Sequence, residues 1–123
     1  MIKIDLHSQT PIYEQIKTGF KGLVQKGLLL PGDAAPSIRT LASQLKLNPN
    51  TVARAYRELT VEGFFESKRG EENIISPLAK DLANANTRAL KARVMQAATD
   101  GLKNGLTKED IEEIINKVKK GAI

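Results

Sequence analysis

Between residues 37 and 63, the apolar positions follow two short helical repeats separated by a turn. Each repeat places its apolar side chains at i, i+3, i+4 and i+7, the spacing of one helix face. These side chains are Ile38, Leu41, Ala42 and Leu45 in the first repeat, and Val52, Ala55, Tyr56 and Leu59 in the second. Ser37 and Asn48 stand at the N-cap positions of the two helices. Pro49 follows at the first helical position, and Gly63 is placed to end the second helix. The pattern predicts a helix-turn-helix.

A longer helix is predicted ahead of this pair, between Thr10 and Gly27. Thr10 followed by Pro11 is typical of a helix start, with Thr10 as the N-cap and the proline at the first helical position. The apolar residues at helical spacing are Ile12, Ile16, Phe20, Leu23 and Val24. We expect Gly19 and Gly22, which have no side chain, to let another helix pack closely against this one.

Four further segments have the composition of short strands or linkers. Residues 2–6 alternate between apolar and polar, which predicts a short strand or an extended arm. Residues 28–30 are all leucine and predict a small strand or a linker. Residues 64–67 and 73–76 predict a β-hairpin with its turn at 68–72. Three helices followed by a hairpin is the order of a winged helix-turn-helix, in which the hairpin is the wing.

Beyond a boundary at residue 77, the sequence predicts two more helices. The first is Ala-rich, and the second begins at Thr107, whose spacing from Asp110 predicts a capping box. Because two helices alone cannot bury both of their apolar stripes, we expect them to pack against the same helices of a second copy. The predicted fold is mainly α with a small β-hairpin. It consists of a winged helix-turn-helix at residues 1–76 and a two-helix C-terminal dimerisation tail at residues 77–123.

The outward face of the second helix of the helix-turn-helix is polar and basic. It carries Asn50, Arg54 and Arg57 at i, i+4 and i+7, with Thr51 beside them. Side chains of these types hydrogen-bond phosphates and base edges, and a helix in this position of the motif enters the major groove. Residues 34–57 contain four basic side chains and no acidic one, whereas a solvated helix face normally mixes its signs. We favour double-stranded DNA as the partner over an ordinary solvent-facing surface.

The composition limits the other classes of function. The net charge of +5, from 19 basic and 14 acidic residues, suits a nucleic-acid partner. The absence of cysteine excludes disulfides and thiolate metal sites. No apolar run is long enough to cross a membrane and no secretory leader is present, so a cytoplasmic protein is expected. His7 has no metal ligands at suitable spacing and no residue set predicts catalysis, so we expect no metal, no cofactor and no enzyme activity.

Three stretches of the chain resemble the GntR family of bacterial transcription regulators, specifically its short YtrA-like branch. They are PIYEQIK at residues 11–17, PGDAAPSIRTLASQLKLNPNTVARAYRELTVEG at residues 31–63, and Arg69-Gly70 at the start of the wing. The resemblance implies a dimeric winged helix that binds an operator in DNA and usually acts as a repressor. It also implies a homodimer through the C-terminal helices.

The resemblance also indicates which residues contact DNA. Arg39 matches an arginine that contacts the DNA backbone or guanine. The recognition helix is expected at about residues 49–62, and Asn48, Asn50 and Thr51 at its start match positions that contact DNA. Ala53 occupies a further contact position of the family, and Arg54 lies one residue beyond it. Together with Arg57, the candidate contacts are Arg39, Asn48, Asn50, Thr51, Arg54, Arg57, Arg69 and Gly70.

The wing is where the sequence departs from this family. The family commonly continues after Gly70 with a basic or small residue and a second glycine, but here Glu71 and Glu72 follow. Carboxylates oppose binding to phosphate, and the missing glycine removes the freedom that lets a loop approach a groove. The wing is therefore expected to contribute little, or to point away from DNA. The alternative function is a winged-helix protein-interaction module with weakened or lost DNA binding. The sequence does not identify the operator, the target genes or an effector.

Overall fold

The computed structural model of the protein describes residues 2–68 and 72–121, and within them it contains five helices and one antiparallel hairpin. The helices are α1 (Ile12–Gln25), α2 (Ile38–Leu45), α3 (Pro49–Val61), α4 (Ala79–Lys103) and α5 (Lys108–Lys119), and the strands are β1 (Phe65–Lys68) and β2 (Glu72–Ile75). The order predicted from the sequence is confirmed. The chain divides into two compact units, residues 1–86 and 87–123, and the functional boundary at residue 77 stays a prediction.

Helix α1 begins one residue later than predicted. Pro11 occupies the N-cap position with an extended backbone (ψ 148°), and the prediction that Thr10 caps the helix is wrong. Thr10 lies one residue before the N-cap position, and among the described residues no side chain caps the N–H groups of the first turn. Gln15 instead binds the preceding segment, because its side-chain amide donates to the carbonyl of Thr10 at 2.9 Å and to that of Asp5 at 2.9 Å.

The N-terminal segment is an extended arm that packs on the core through Ile2 and Ile4. It forms no strand among the described residues. Gly19 faces this arm, because a Cβ atom at Gly19 would lie 2.8 Å from Cγ2 of Ile2. The predicted helix contact at Gly19 is therefore wrong, since an isoleucine of the arm fills that place. A Cβ atom at Gly22 would meet nothing within 4 Å.

Both predicted N-caps of the helix-turn-helix are confirmed. Ser37 Oγ accepts from the backbone N–H of Thr40 at 3.0 Å, and Asn48 Oδ1 accepts from that of Asn50 at 2.8 Å. Between the helices, Lys46 adopts a left-handed conformation with φ 57°. The inner stripe of α3 is confirmed as core: Val52, Ala55, Tyr56 and Leu59 are all buried.

Three aromatic rings from α1, α3 and β1 form the centre of the core. The rings of Phe20, Tyr56 and Phe65 meet edge to face, with centroids 5.1 to 5.7 Å apart. This arrangement stabilises the fold beyond the contribution of the buried area alone. The hydroxyl of Tyr56 donates to the carbonyl of Pro36 at 2.7 Å. The core thus ties α3 to α1, to the hairpin and to the segment that leads into α2.

The predicted hairpin is confirmed, with Phe65 opposite Ile75 and Ser67 opposite Asn73. Residues 28–30 form a linker and no strand. The residues just after this linker pair with β2. The N–H of Ile75 donates to the carbonyl of Asp33 at 2.9 Å, and Ala34 forms a bridge with Ile74.

Helix α4 begins inside the core of the first unit. Ser76 is buried, and its hydroxyl accepts from the N–H of Leu78 and donates to the carbonyl of Gly63. Ala79 and Ala83 are also buried. The first turns of α4 are therefore packed with the winged helix-turn-helix.

The second unit has a confirmed capping box and an exposed apolar surface. The N–H of Thr107 donates to Asp110 Oδ2 at 2.8 Å, and the N–H of Asp110 donates to Thr107 Oγ1 at 3.1 Å. Five large apolar residues of this unit are more than half exposed: Val94, Met95, Leu102, Ile115 and Val118. None of the helices in the described part of the chain has the length and apolar character needed to cross a membrane.

Candidate nucleic-acid interface

The predicted reading face of α3 is on the surface. Asn50, Arg54 and Arg57 are exposed and Thr51 is half-buried, whereas the opposite face of the helix lies in the core. Asn48 is exposed at the N-cap, where its side-chain oxygen is already used. The structure thus places these five candidate residues on one helix and its cap.

Arg39 is exposed in the first turn of α2. Among the described residues it has no ion-pair partner. Its guanidinium is therefore free to bind an external anion.

Arg57 lines a groove between α3 and the hairpin. The groove has a volume of about 470 Å³, and its lining residues are Ile38, Ala53, Tyr56, Arg57, Thr60, Val61, Ser67 and Asn73. Its walls combine an apolar floor with a cation and neutral hydrogen-bonding side chains. These groups suit the sugars and phosphates of a nucleic-acid strand.

Arg54 has two partners that the sequence analysis missed. Its Nε donates to Glu58 Oε2 at 3.2 Å, and its guanidinium carbon lies 3.7 Å from the ring centroid of Tyr13 in α1. The guanidinium therefore lies against an aromatic face and beside a carboxylate. Tyr56 is a core residue. Tyr13 is half-buried, and its ring packs against the guanidinium of Arg54.

Lys17 connects α1 to α3. Its Nζ donates to Glu58 Oε1 at 2.9 Å and also pairs with Glu62, although only 9% of the lysine side chain is exposed. Burial by itself would lower the pKa of Lys17. The hydrogen bonds to Glu62 and Glu58 outweigh that effect, so the pKa lies above its ordinary value.

The pKa values of Glu58 and Glu62 shift in the opposite direction to that of Lys17. The hydrogen bonds from Lys17 and then from Arg54 lower the pKa of Glu58. For Glu62, burial raises the pKa, but the hydrogen bonds from Lys17 and Lys21 outweigh it and the net pKa is lowered. The ion pairs are therefore charged at neutral pH and fix α3 to α1.

These contacts form a regular ladder between the two helices, which we call the α1–α3 ladder. Its rungs are Tyr13 with Arg54, Lys17 with Glu58, and Lys21 with Glu62. The members are spaced at i, i+4 and i+8 on each helix. The matched spacing is visible in the sequence, but by itself it does not say which residues of the two helices pair.

The described part of the wing stops on either side of its tip. Arg69, Gly70 and Glu71 lie outside the described residues, so the predictions made for them stay predictions. Glu72 is exposed at the start of β2. Within residues 2–68 and 72–121, no group of histidine, aspartate and glutamate side chains could hold a metal ion.

Comparison with known proteins decides the family. The model of the family described as "Bacterial regulatory proteins, gntR family" matches residues 12–72. The HTH-type transcriptional repressor YtrA of Bacillus subtilis (strain 168) is 42% identical over 119 residues, which cover 96% of this chain and 92% of that protein. The chain belongs to the GntR family. It is a DNA-binding transcriptional regulator of that family, and its similarity to YtrA extends through the C-terminal helices.

Solved structures of transcription regulators share the fold. A transcriptional regulator from Oenococcus oeni superposes with a TM-score of 0.70 at 30% identity, over 96% of this chain and 98% of the other. YtrA from Sulfolobus acidocaldarius, a GntR-family transcription factor, gives a TM-score of 0.60 at 43% identity, over 73% of this chain and 97% of the other. The resemblance to the YtrA-like branch is thereby confirmed.

Proposed function

We propose that this GntR regulator is a homodimeric repressor that binds a pseudo-palindromic operator in double-stranded DNA, with α3 in the major groove. The observation that carries the proposal is the division of α3 into two faces. One face is packed in the core, and the other presents Asn50, Arg54 and Arg57 to solvent. A helix held in this way can reach base edges without giving up its packing.

Each candidate contact has a proposed part in binding. Arg39 and Arg54 bind phosphate or guanine, and Asn50 and Thr51 read base edges. Asn48 uses its side-chain oxygen as a cap, which leaves its amide NH₂ group to donate to DNA. Arg57 faces the groove that would accommodate a DNA strand, and Arg69 and Gly70 would approach the minor groove.

The exposed apolar residues of α4 and α5 support a homodimer. Burial of apolar surface between two copies stabilises their association by about 25 cal/mol per Å². Most homo-oligomers are symmetric, and symmetric pairs are the commonest. Such a dimer would place two α3 helices on half-sites about 34 Å apart, or at a near multiple of that distance. Repression is proposed because the relative from Bacillus subtilis is a transcriptional repressor by name. A protein with this function would act in the cytoplasm.

Selection of duplexes from a random pool tests the proposal. The selected sequence is expected to contain two related half-sites, and binding should weaken steeply with added salt. Sedimentation of the complex should give two copies of the protein per duplex. If the protein binds no duplex, the DNA proposal is contradicted and the interaction-module alternative is favoured. One copy on one half-site would contradict the dimer.

A further inference from the structure

We infer that Tyr13 and Glu58 are positioning residues that hold Arg54 in place for contact with DNA. The inference rests on the proposed function, since it takes Arg54 to contact the operator. It extends the binding machinery from the recognition helix to α1.

The two residues contact different parts of the Arg54 guanidinium. The Tyr13 ring covers one face, with 3.7 Å between the guanidinium carbon and the ring centroid. Glu58 Oε2 accepts from Nε on one edge at 3.2 Å. A stacking partner and a charged acceptor together fix both the place and the plane of the group.

These contacts leave the outer edge of the guanidinium open. Among the described residues, the hydrogen bond and ion pair of Arg54 both involve Nε, so its two terminal NH₂ groups remain free to donate. Arginine binds guanine or phosphate through two parallel N–H donors, and the terminal nitrogens supply such a pair. The side chain is 53% exposed, which gives DNA access to it.

Glu58 holds Arg54 without cancelling its charge. The other carboxylate oxygen of Glu58, Oε1, lies 2.9 Å from Lys17 Nζ. Lys17, which also pairs with Glu62, offsets part of the charge of Glu58 and anchors it to α1. Glu58 acts as a fixed acceptor for Nε, and the positive charge of Arg54 stays available to the operator.

The restraint affects affinity through conformational entropy. An arginine that is free in the unbound protein loses rotamer freedom when it binds, whereas Arg54 has already lost that freedom on folding. Release of the restraint is therefore expected to weaken operator binding roughly three- to tenfold.

A double-mutant cycle on the full-length protein tests the inference, with the duplex selected from the random pool as the probe. Tyr13→Leu keeps apolar bulk but removes the ring, and it is expected to weaken binding roughly three- to tenfold. Tyr13→Phe keeps the ring and should rescue the affinity. In an Arg54→Ala background, Tyr13→Leu should cause no further loss. Thr18→Ala, at an exposed position of α1, is the matched control.

Glu58→Gln provides a second variant, which keeps an acceptor oxygen but removes the charge. It is expected to weaken binding in the wild-type background and to cause no further loss in the Arg54→Ala background. Three outcomes would overturn the inference alone: unchanged binding in the single variants, equal losses in both backgrounds, or unchanged binding in Arg54→Ala. If the wild-type protein binds no duplex, the proposed function and this inference are overturned together.

Discussion

Ser76 Oγ donates a hydrogen bond to the carbonyl of Gly63, and this bond joins the residue after the C-cap of α3 to the segment that leads into α4. Ser76 is only 3% exposed, so water cannot replace the bond. The end of α3 and the first turn of α4 are thereby fixed to each other through one hydroxyl group.

The Ser76→Ala variant should lower the free energy of unfolding by about 1 to 3 kcal/mol, because the half-buried carbonyl of Gly63 loses its partner. Urea unfolding followed by circular dichroism measures the change. Ser43→Ala, at an exposed position of α2, is the control and should change the free energy by less than about 0.5 kcal/mol. Equal values for the two variants would show that the Ser76 bond contributes nothing.

Gly22→Ala and Gly19→Ala should differ in their effect on stability, although both glycines lie in α1. Alanine in a helix interior is favoured over glycine by about 1 kcal/mol, and the site at Gly22 is open. At Gly19 the new methyl group would meet Ile2, so the gain should be cancelled by displacement of the arm. Thermal unfolding measures both. In an Ile2→Ala background the two substitutions should become equivalent, and a difference that persists there would contradict the arm contact.

The α1–α3 ladder should make stability depend on pH in the acid range. The pKa values of Glu58 and Glu62 are lowered in the folded protein, so their contribution is complete above the ordinary carboxyl pKa of about 4.3 and is lost as the pH falls below it. In Lys17→Met the two pKa values should rise towards normal and the acid loss should become shallower. Urea midpoints between neutral and acid pH measure the profile.

Lys108→Met is the matched control for this profile, because Lys108 forms only a 3.8 Å pair with Glu112 and its side chain is 82% exposed. Its acid profile should be the same as that of the wild type. If Lys17→Met also retains the wild-type profile, the ladder does not contribute the pH dependence.

Arg39→Ala should weaken operator binding about fivefold to more than a hundredfold, because a charged donor to guanine or phosphate is worth about 1 to 3 kcal/mol. The proposed homodimer should remain intact, since Arg39 lies outside α4 and α5. Gel shifts measure the affinity and sedimentation measures the mass. Lys26→Ala removes the same charge just beyond the last turn of α1 and should have a much smaller effect. Unchanged affinity in Arg39→Ala would contradict the role given to α2.

The sequence predicted the parts of the fold that depend on local rules. The caps at Ser37, Asn48 and Thr107 and the inner stripe of α3 follow from residue type and spacing within one or two turns. The α1–α3 ladder joins residues 41 positions apart, and no local rule pairs Lys17 with Glu58. The contact of Ile2 with Gly19 was missed for the same reason, because only the folded chain brings the arm across α1.

The candidate site was predicted at the level of residue type but not at the level of geometry. The exposure of Asn50, Arg54 and Arg57 follows from the helical period. The contacts of Arg54 do not, because one of them is with Tyr13, a residue of another helix.

The pairing of residues 32–35 with β2 leaves little strand edge for another molecule to extend. One edge of β2 is covered by β1, and Gly32, Asp33 and Ala35 exchange hydrogen bonds along the other. Open strand edges are where identical chains add to one another and aggregate. In the described part of the hairpin, the outer edge of β1 is four residues long. A regulator built in this way is expected to stay dispersed at concentrations where a bare hairpin would seed fibres.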